Sequence, residues 1–252
     1  CMVKLTDEAD VVILEGDEYL SSPIDRRPKF HLYKPHIAIL TGVAWDHINV
    51  FPTFENYVEQ FSTFVDLIER NGTLIYFEED SELRQMANRR DDVSVIPYGQ
   101  LKSEIRNGQT IIHFKGKEYQ SELFGAHNMA NLRGAMEICR ALEIEPSDFL
   151  IAIADFTGAS KRLEKVGETD SSVFYKDFAH APSKLKATTS ALKEQFPNRE
   201  LIACMELHTF SSLNKKFLPQ YEGTMTKADR ALIYFSPEVV EHKRLDSLSE
   251  EE

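Results

Sequence analysis

The sequence predicts an α/β protein, with a mostly parallel sheet and its helices over residues 1–157 and a second α/β domain over residues 158–252. Three observations predict it. Short apolar runs rich in β-branched residues alternate with segments of helical apolar spacing through most of the first half. The same alternation resumes after a linker-like stretch, Phe156-Thr157-Gly158-Ala159-Ser160. In both halves, acidic or His residues follow directly on apolar runs, where ligands sit outside the carboxyl ends of parallel strands.

Val11-Val12-Ile13-Leu14 is short, apolar and uninterrupted, which predicts a strand buried on both faces. It stops at Glu15, with Asp17 and Glu18 close behind. His36 to Thr41 predicts a second strand, leading through Gly42 into Trp45-Asp46-His47. Phe54, Tyr57, Val58, Phe61, Phe64, Val65 and Ile68 recur at helical spacing before the Asn71-Gly72 stop. Thr73 to Phe77 reads as a strand, Ser81 to Arg90 as a polar helix and Val93 to Ile96 as another strand. Ile111 to Tyr119 breaks the pattern as a hairpin around Lys115-Gly116, a small antiparallel edge. A helix then runs from the Phe124-Gly125-Ala126-His127-Asn128 stretch to about Leu142, and a short one from Pro146 to Ala154.

In the second half, Leu163 to Gly167 and Val173 to Lys176 read as strands around a polar turn. Pro182 opens a helix through Phe196, as Pro suits a first helical turn. Leu201 to Met205 is a strand ending in Glu206-Leu207-His208, Phe217, Leu218 and Tyr221 mark a helix, and Ala231 to Phe235 a last strand. No internal repeat or low-complexity tract interrupts this order.

Composition narrows the function. The net charge of −12, from 29 basic and 41 acidic residues, argues against nonspecific nucleic-acid binding. Cys1, Cys139 and Cys204 lack metal-ligand spacing and point to a reducing, cytoplasmic compartment. No apolar run reaches transmembrane length, so no membrane partner is expected. The chain starts at Cys1 and closes on an acidic, Ser-containing tail, Asp246 to Glu252, so both ends read as cut from a longer protein.

A carboxylate after one predicted strand and Asp46-His47 after another can converge on one spot. The plain alternative is loop solvation or helix capping. The basic segment Asp25-Arg26-Arg27-Pro28-Lys29 between them could grip phosphate. Asn128 and Asn131, three apart, share a face near a helix start. They are either caps or an amide pair able to read a purine edge, and spacing alone leaves both open.

Five pieces in order, LEGDEY, DHINVF, GAHNMANLRGA, SKRLE and DFAHAP, resemble the Mur ligase family of ATP-dependent amide-bond ligases. The stretch SPIDRRPKFHLYKP is most similar to the murein peptide ligase branch, which joins recycled tripeptide to UDP-N-acetylmuramic acid, and to the related muramate–alanine ligases. The resemblance implies part of a central ATP-binding domain over residues 1–157 and a Rossmann-like C-terminal domain over 158–252. It implies ATP and Mg2+ as cofactors, with UDP-N-acetylmuramic acid and a peptide or L-alanine as substrates.

By the same resemblance, Glu15 and His47 bind Mg2+, and Asn128 and Asn131 sit beside adenine. Arg162, Asp177 and His180 close over ATP and stabilise transferred charge, and Lys184, Glu206 and His208 face the substrate. A hard ion prefers oxygen ligands, so His47 as a ligand rests on the family alone. The sequence departs from the family pattern in three places. No Gly-Lys-Thr phosphate loop occurs, no UDP-sugar-binding N-terminal domain is present, and Ala181 stands where the most similar branch has a second His. No Lys lies between Ile48 and Glu69, which favours the branches without a carbamoylated Lys.

Other classes remain. A zinc hydrolase needs a third ligand at fixed spacing, and neither HxxE nor HExxH occurs. A non-catalytic nucleotide- or UDP-sugar-binding module fits the missing phosphate loop, and a folylpolyglutamate synthase-like ligase fits DFAHAP but not the stretch Asp25 to Pro35. The expectations are Glu15 and His47 within reach of one metal, few contacts across Phe156 to Ser160, and no ligation by this chain alone.

Overall fold

A computed structural model describes residues 6–246, 248 and 249; Cys1 and much of the acidic tail lie outside the described residues. Strands β1 (Ile37–Leu40), β2 (Thr73–Phe77) and β3 (Ser94–Tyr98) form a wholly parallel sheet in that order. Helix α1 (Phe54–Asp66) forms where the apolar spacing predicts it, and Thr53 caps it by accepting the Asn56 N–H. Its buried Tyr57, Phe61, Phe64 and Val65 pack with Phe30, Leu40 and Leu74 in one core. Helix α2 (Ser81–Ala87) is capped by Asp80, whose Oδ1 accepts the Glu82 and Leu83 N–H groups. The other oxygen of Asp80 accepts the Val43 N–H at 2.7 Å, which ties the loop after β1 to the sheet's carboxyl edge.

An antiparallel meander follows, β4 (Ser103–Arg106), β5 (Gln109–Phe114) and β6 (Lys117–Ser121), one strand more than the predicted hairpin. Asn107-Gly108 and Lys115-Gly116 each place both turn residues at positive φ, matching the twist of the flanking strands. Helix α3 (Ala126–Ala141) crosses the parallel sheet, and α4 (Pro146–Ala152) packs on it. Gly134 allows that approach, since a Cβ there would lie 2.6 Å from Ile39 Cδ1 and 2.9 Å from Tyr98 Cζ.

The second half begins with the antiparallel pair β7 (Glu164–Glu168) and β8 (Val173–Lys176). Helix α5 (Pro182–Gln195) leads to β9 (Ile202–Leu207), which pairs in parallel with β10 (Arg230–Phe235) before α6 (Pro237–His242). No helix among the described residues is long and apolar enough to cross a membrane.

Three expectations need correction. Val11 to Leu14 is not a buried strand: it has no ladder partner among the described residues, and Ile13 is 88% exposed. An apolar run cannot form a strand without a neighbour to take its backbone hydrogen bonds. The helix expected around Phe217 shrinks to a single 3-10 turn, Leu218–Tyr221, because Pro219 supplies no N–H and Gly223 turns the chain at φ 74°. The described second half forms two separate two-stranded sheets rather than one Rossmann-like sheet, since β8 and β9 do not pair.

Residues 156–160 belong to no helix or strand. The halves are nevertheless joined by more than a thin seam. Phe124 meets Tyr175 and Phe196 edge-on, and Gln195 donates to the Gly108 carbonyl at 2.6 Å. Gly125, at φ 88°, lets α5 close in, since a Cβ there would sit 2.4 Å from that of Ala191.

Candidate active site

Two loops meet beyond the carboxyl end of β1. The first, residues 41–52, is tethered by the Val43–Asp80 bond and by Trp45, whose Nε1–H donates to the Phe51 carbonyl. His47 holds φ 53°, unusual for a side-chain-bearing residue, and its carbonyl accepts the Val50 and Phe51 N–H groups. Its own N–H donates to Asp46 Oδ1 at 2.7 Å. The second loop, residues 17–29, is a narrow hairpin fixed by a Leu20–Pro28 bridge and the Lys29–Asp17 ion pair.

This hairpin brings Glu18 to His47. Glu18 Oε1 lies 3.4 Å from His47 Nε2 and accepts the Tyr57 hydroxyl at 3.2 Å, while the Tyr19 ring stands edge-on to the imidazole. Glu15 is exposed, and its charge is felt by Lys29. The basic segment is largely neutralised by nearby acids: Arg27 grips Asp25 in a forked pair and Lys29 holds Asp17, while Arg26 is exposed.

The electrostatics favour a charged pair. Burial alone would raise the Glu18 carboxyl, but the His47 hydrogen bond, its backbone and the Tyr57 hydroxyl hold it below the ordinary value. Burial alone would lower the imidazole of His47, and Glu18 and Asp46 reverse that. Burial and the neighbouring Glu18 push Tyr57 up, so it remains a donor. His47, raised when folded, contributes stability fully below its unfolded value near 6.5, and this is lost as pH rises through its folded value. Glu18, lowered when folded, contributes stability above its unfolded value near 4.5, lost as pH falls through its folded value. An NMR titration should therefore place the His47 midpoint above about 6.5, and Glu18→Gln should bring it down. An unmoved midpoint in that variant contradicts the pairing.

From the second half, His180 reaches the same loop. Its Nε2 faces Asp46 Oδ2 at 3.4 Å, its Nδ1 faces the Phe178 carbonyl at 2.9 Å, and Ser211 Oγ donates to Asp46 Oδ1 at 3.1 Å. Burial would raise Asp46, yet His180, the His47 N–H and the two imidazoles hold it well below the usual carboxylate range. The His208 ring lies 6.2 Å from those of His180 and Phe178. Arg162 stands over the Phe178 ring at 5.6 Å, presented by a turn with Lys161 and Leu163 at positive φ. The Phe178 N–H donates to the Lys161 carbonyl, so the two motifs SKRLE and DFAHAP are stitched together.

Not every expected residue joins this group. Asp177 accepts the Thr188 hydroxyl and acts electrostatically on His127. Asn128 donates to the Phe124 carbonyl at 2.9 Å, a local bond at the start of α3, while Asn131 is exposed. Lys184 and Glu206 are exposed, and the Glu206 carbonyl faces His208 Nδ1 at 3.2 Å. The sequence reading missed Glu18 as partner, although three acids within LEGDEY signalled the region, and missed Ser211 and Tyr57, which carry no local signal.

Glu18 supplies the anionic carboxylate a hard cation prefers, while His47 beside it, held toward its protonated form, would have to release that proton before it could ligate. A different cluster, Glu104, His113 and Glu118 on the meander, already holds the Arg106 guanidinium between its carboxylates.

Residues 1–139 match the Mur ligase middle domain. The UDP-N-acetylmuramate–L-alanine ligase of Roseiflexus sp. (strain RS-1) is 27% identical over 233 residues, 81% of this chain and 48% of that protein. The enzyme of the same name from Porphyromonas gingivalis (strain W83) is 29% identical over 245 residues, 91% of this chain and 51% of the relative. The chain thus spans about half the length of the curated relatives it matches. Among solved structures, a murein peptide ligase from Psychrobacter arcticus 273-4 aligns with TM-score 0.59 at 19% identity, covering 95% of this chain and 59% of that one. A matched middle domain over more than half of the sequence, on a parallel sheet carrying its motifs at the carboxyl edge, makes this chain a member of the Mur ligase family.

Proposed function

We propose that these 252 residues are part of an ATP-dependent ligase that joins a peptide or L-alanine to UDP-N-acetylmuramic acid in the cytoplasm. Residues 1–157 are the later part of its central ATP-binding domain, and residues 158–252 belong to its C-terminal domain. The observation that carries this reading is the Glu18–His47–Asp46 group, met from the other half by His180. Glu15, Glu18 and His47, the last once its proton is displaced, would hold Mg2+, and the ion would supply positive charge against the phosphate oxygens.

The substrate carboxylate attacks the γ-phosphorus of ATP, the bond to the bridging oxygen breaks, and ADP leaves. The incoming amine then attacks the acyl carbon of the mixed anhydride, inorganic phosphate departs, and the amine loses a proton. This chemistry depends on positioning and on cancelling charge. Arg162 meets the transferring phosphoryl group, and Asp177 and His180 position that side of the cleft. Asn128 and Asn131 lie beside the adenine, and Lys184, Glu206 and His208 face the acceptor. The relatives' printed names and the motifs LEGDEY, DHINVF and DFAHAP support the assignment.

The test is ligation by a polypeptide that carries these residues behind a Gly-Lys-Thr phosphate-binding loop. Phosphate release should need both UDP-N-acetylmuramic acid and the amine. Release that is indifferent to either substrate contradicts the assignment.

A further inference from the structure

His47 keeps a left-handed backbone conformation, φ 53°, that persists only when its surroundings over-determine it. Its N–H is held by Asp46, and Asp46 is 7% exposed. A buried carboxylate needs its lone pairs filled. Two of its three partners come from the other half of the chain: the Ser211 hydroxyl, itself 4% exposed, and the His180 ring. The same loop is gripped again where Trp45 meets the Phe217 ring edge-on at 5.7 Å. Tyr221, next to Phe217, donates its hydroxyl to the His180 carbonyl.

We propose that Ser211 is a positioning residue that acts through Asp46 on His47, so that docking of the second half sets the geometry of the site in the first. The inference rests on the ligase reading only for the site's purpose; the coupling itself needs no nucleotide. A His47 held in this way would couple the site in the first half to the seating of the second. The neighbouring Ser212 provides an internal comparison, because it is fully buried but, among the described residues, its hydroxyl bonds within its own turn, to Thr209.

The experiment follows hydrogen exchange of the His47 N–H by NMR in the 252-residue chain, with thermal unfolding as a control. Ser211→Ala should accelerate that exchange about tenfold, the effect of losing one hydrogen bond to a charged group. Ser211→Thr, which keeps the hydroxyl, should retain the parent protection, and Ser212→Ala should leave His47 unmoved. Unchanged exchange in Ser211→Ala overturns the proposal. So does equal acceleration in Ser212→Ala, which would reduce the effect to stability of the turn, or loss of protection in Ser211→Thr. None of these outcomes depends on turnover, so failure here and failure of the ligase assignment remain separate.

Discussion

Arg162→Ala should lower the ligation rate about a thousandfold while weakening nucleotide binding by less than about tenfold, in a polypeptide carrying these residues behind a phosphate-binding loop. The asymmetry follows from where the guanidinium stands. Arg162 is held over Phe178 by a turn with two flanking residues at positive φ, so its backbone is fixed while its charge stays exposed. A cation so placed is available to charge that develops during phosphoryl transfer, and interactions made only then raise the rate rather than the affinity. Steady-state kinetics with a separate nucleotide titration distinguish the two. An equal loss in rate and binding would make Arg162 a ground-state anchor instead.

The second large effect concerns the chain by itself. Its nucleotide affinity should be about three to six powers of ten below that of the longer polypeptide, and it should release no phosphate above background. Phosphoryl transfer requires β- and γ-phosphates cradled by backbone N–H groups and a Lys, and no Gly-Lys-Thr run occurs in the sequence. About three charge-assisted hydrogen bonds at about 1.5–3 kcal/mol each account for that range. Asn128 cannot compensate, because one of its amide N–H groups is spent on the Phe124 carbonyl and what remains adds fewer bonds than the phosphate cradle supplies. Isothermal titration with a non-hydrolysable ATP analogue measures the difference. Micromolar binding by the 252-residue chain would refute it.

Much of the fold was legible because local patterning and local burial agree. Thr73–Phe77 and Val173–Lys176 carry turn signals on both sides of a β-rich run, and both are strands with those bounds. The face of α1 was legible from Tyr57, Phe61, Phe64 and Val65, which are its buried residues. Val11 to Leu14 misled because four apolar residues state a wish for burial and say nothing of a partner. The site divides in the same way. Asp46-His47 could be placed after β1 from sequence, but the choice among Glu15, Asp17 and Glu18 depends on a hydroxyl from α1, that of Tyr57. Ser211 lies 165 residues from Asp46, and nothing near either residue announces the bond.

The central claim is that this site activates a carboxylate by phosphorylating it. The measurement that tests it most directly uses UDP-N-acetylmuramic acid labelled with oxygen-18 in its carboxyl group. The substrate is turned over by the longer polypeptide with ATP, Mg2+ and tripeptide or L-alanine. If the carboxylate attacks the γ-phosphorus, the released inorganic phosphate carries one labelled oxygen per ligation, detected by mass spectrometry. Unlabelled phosphate, with amide product still forming, would contradict the mechanism.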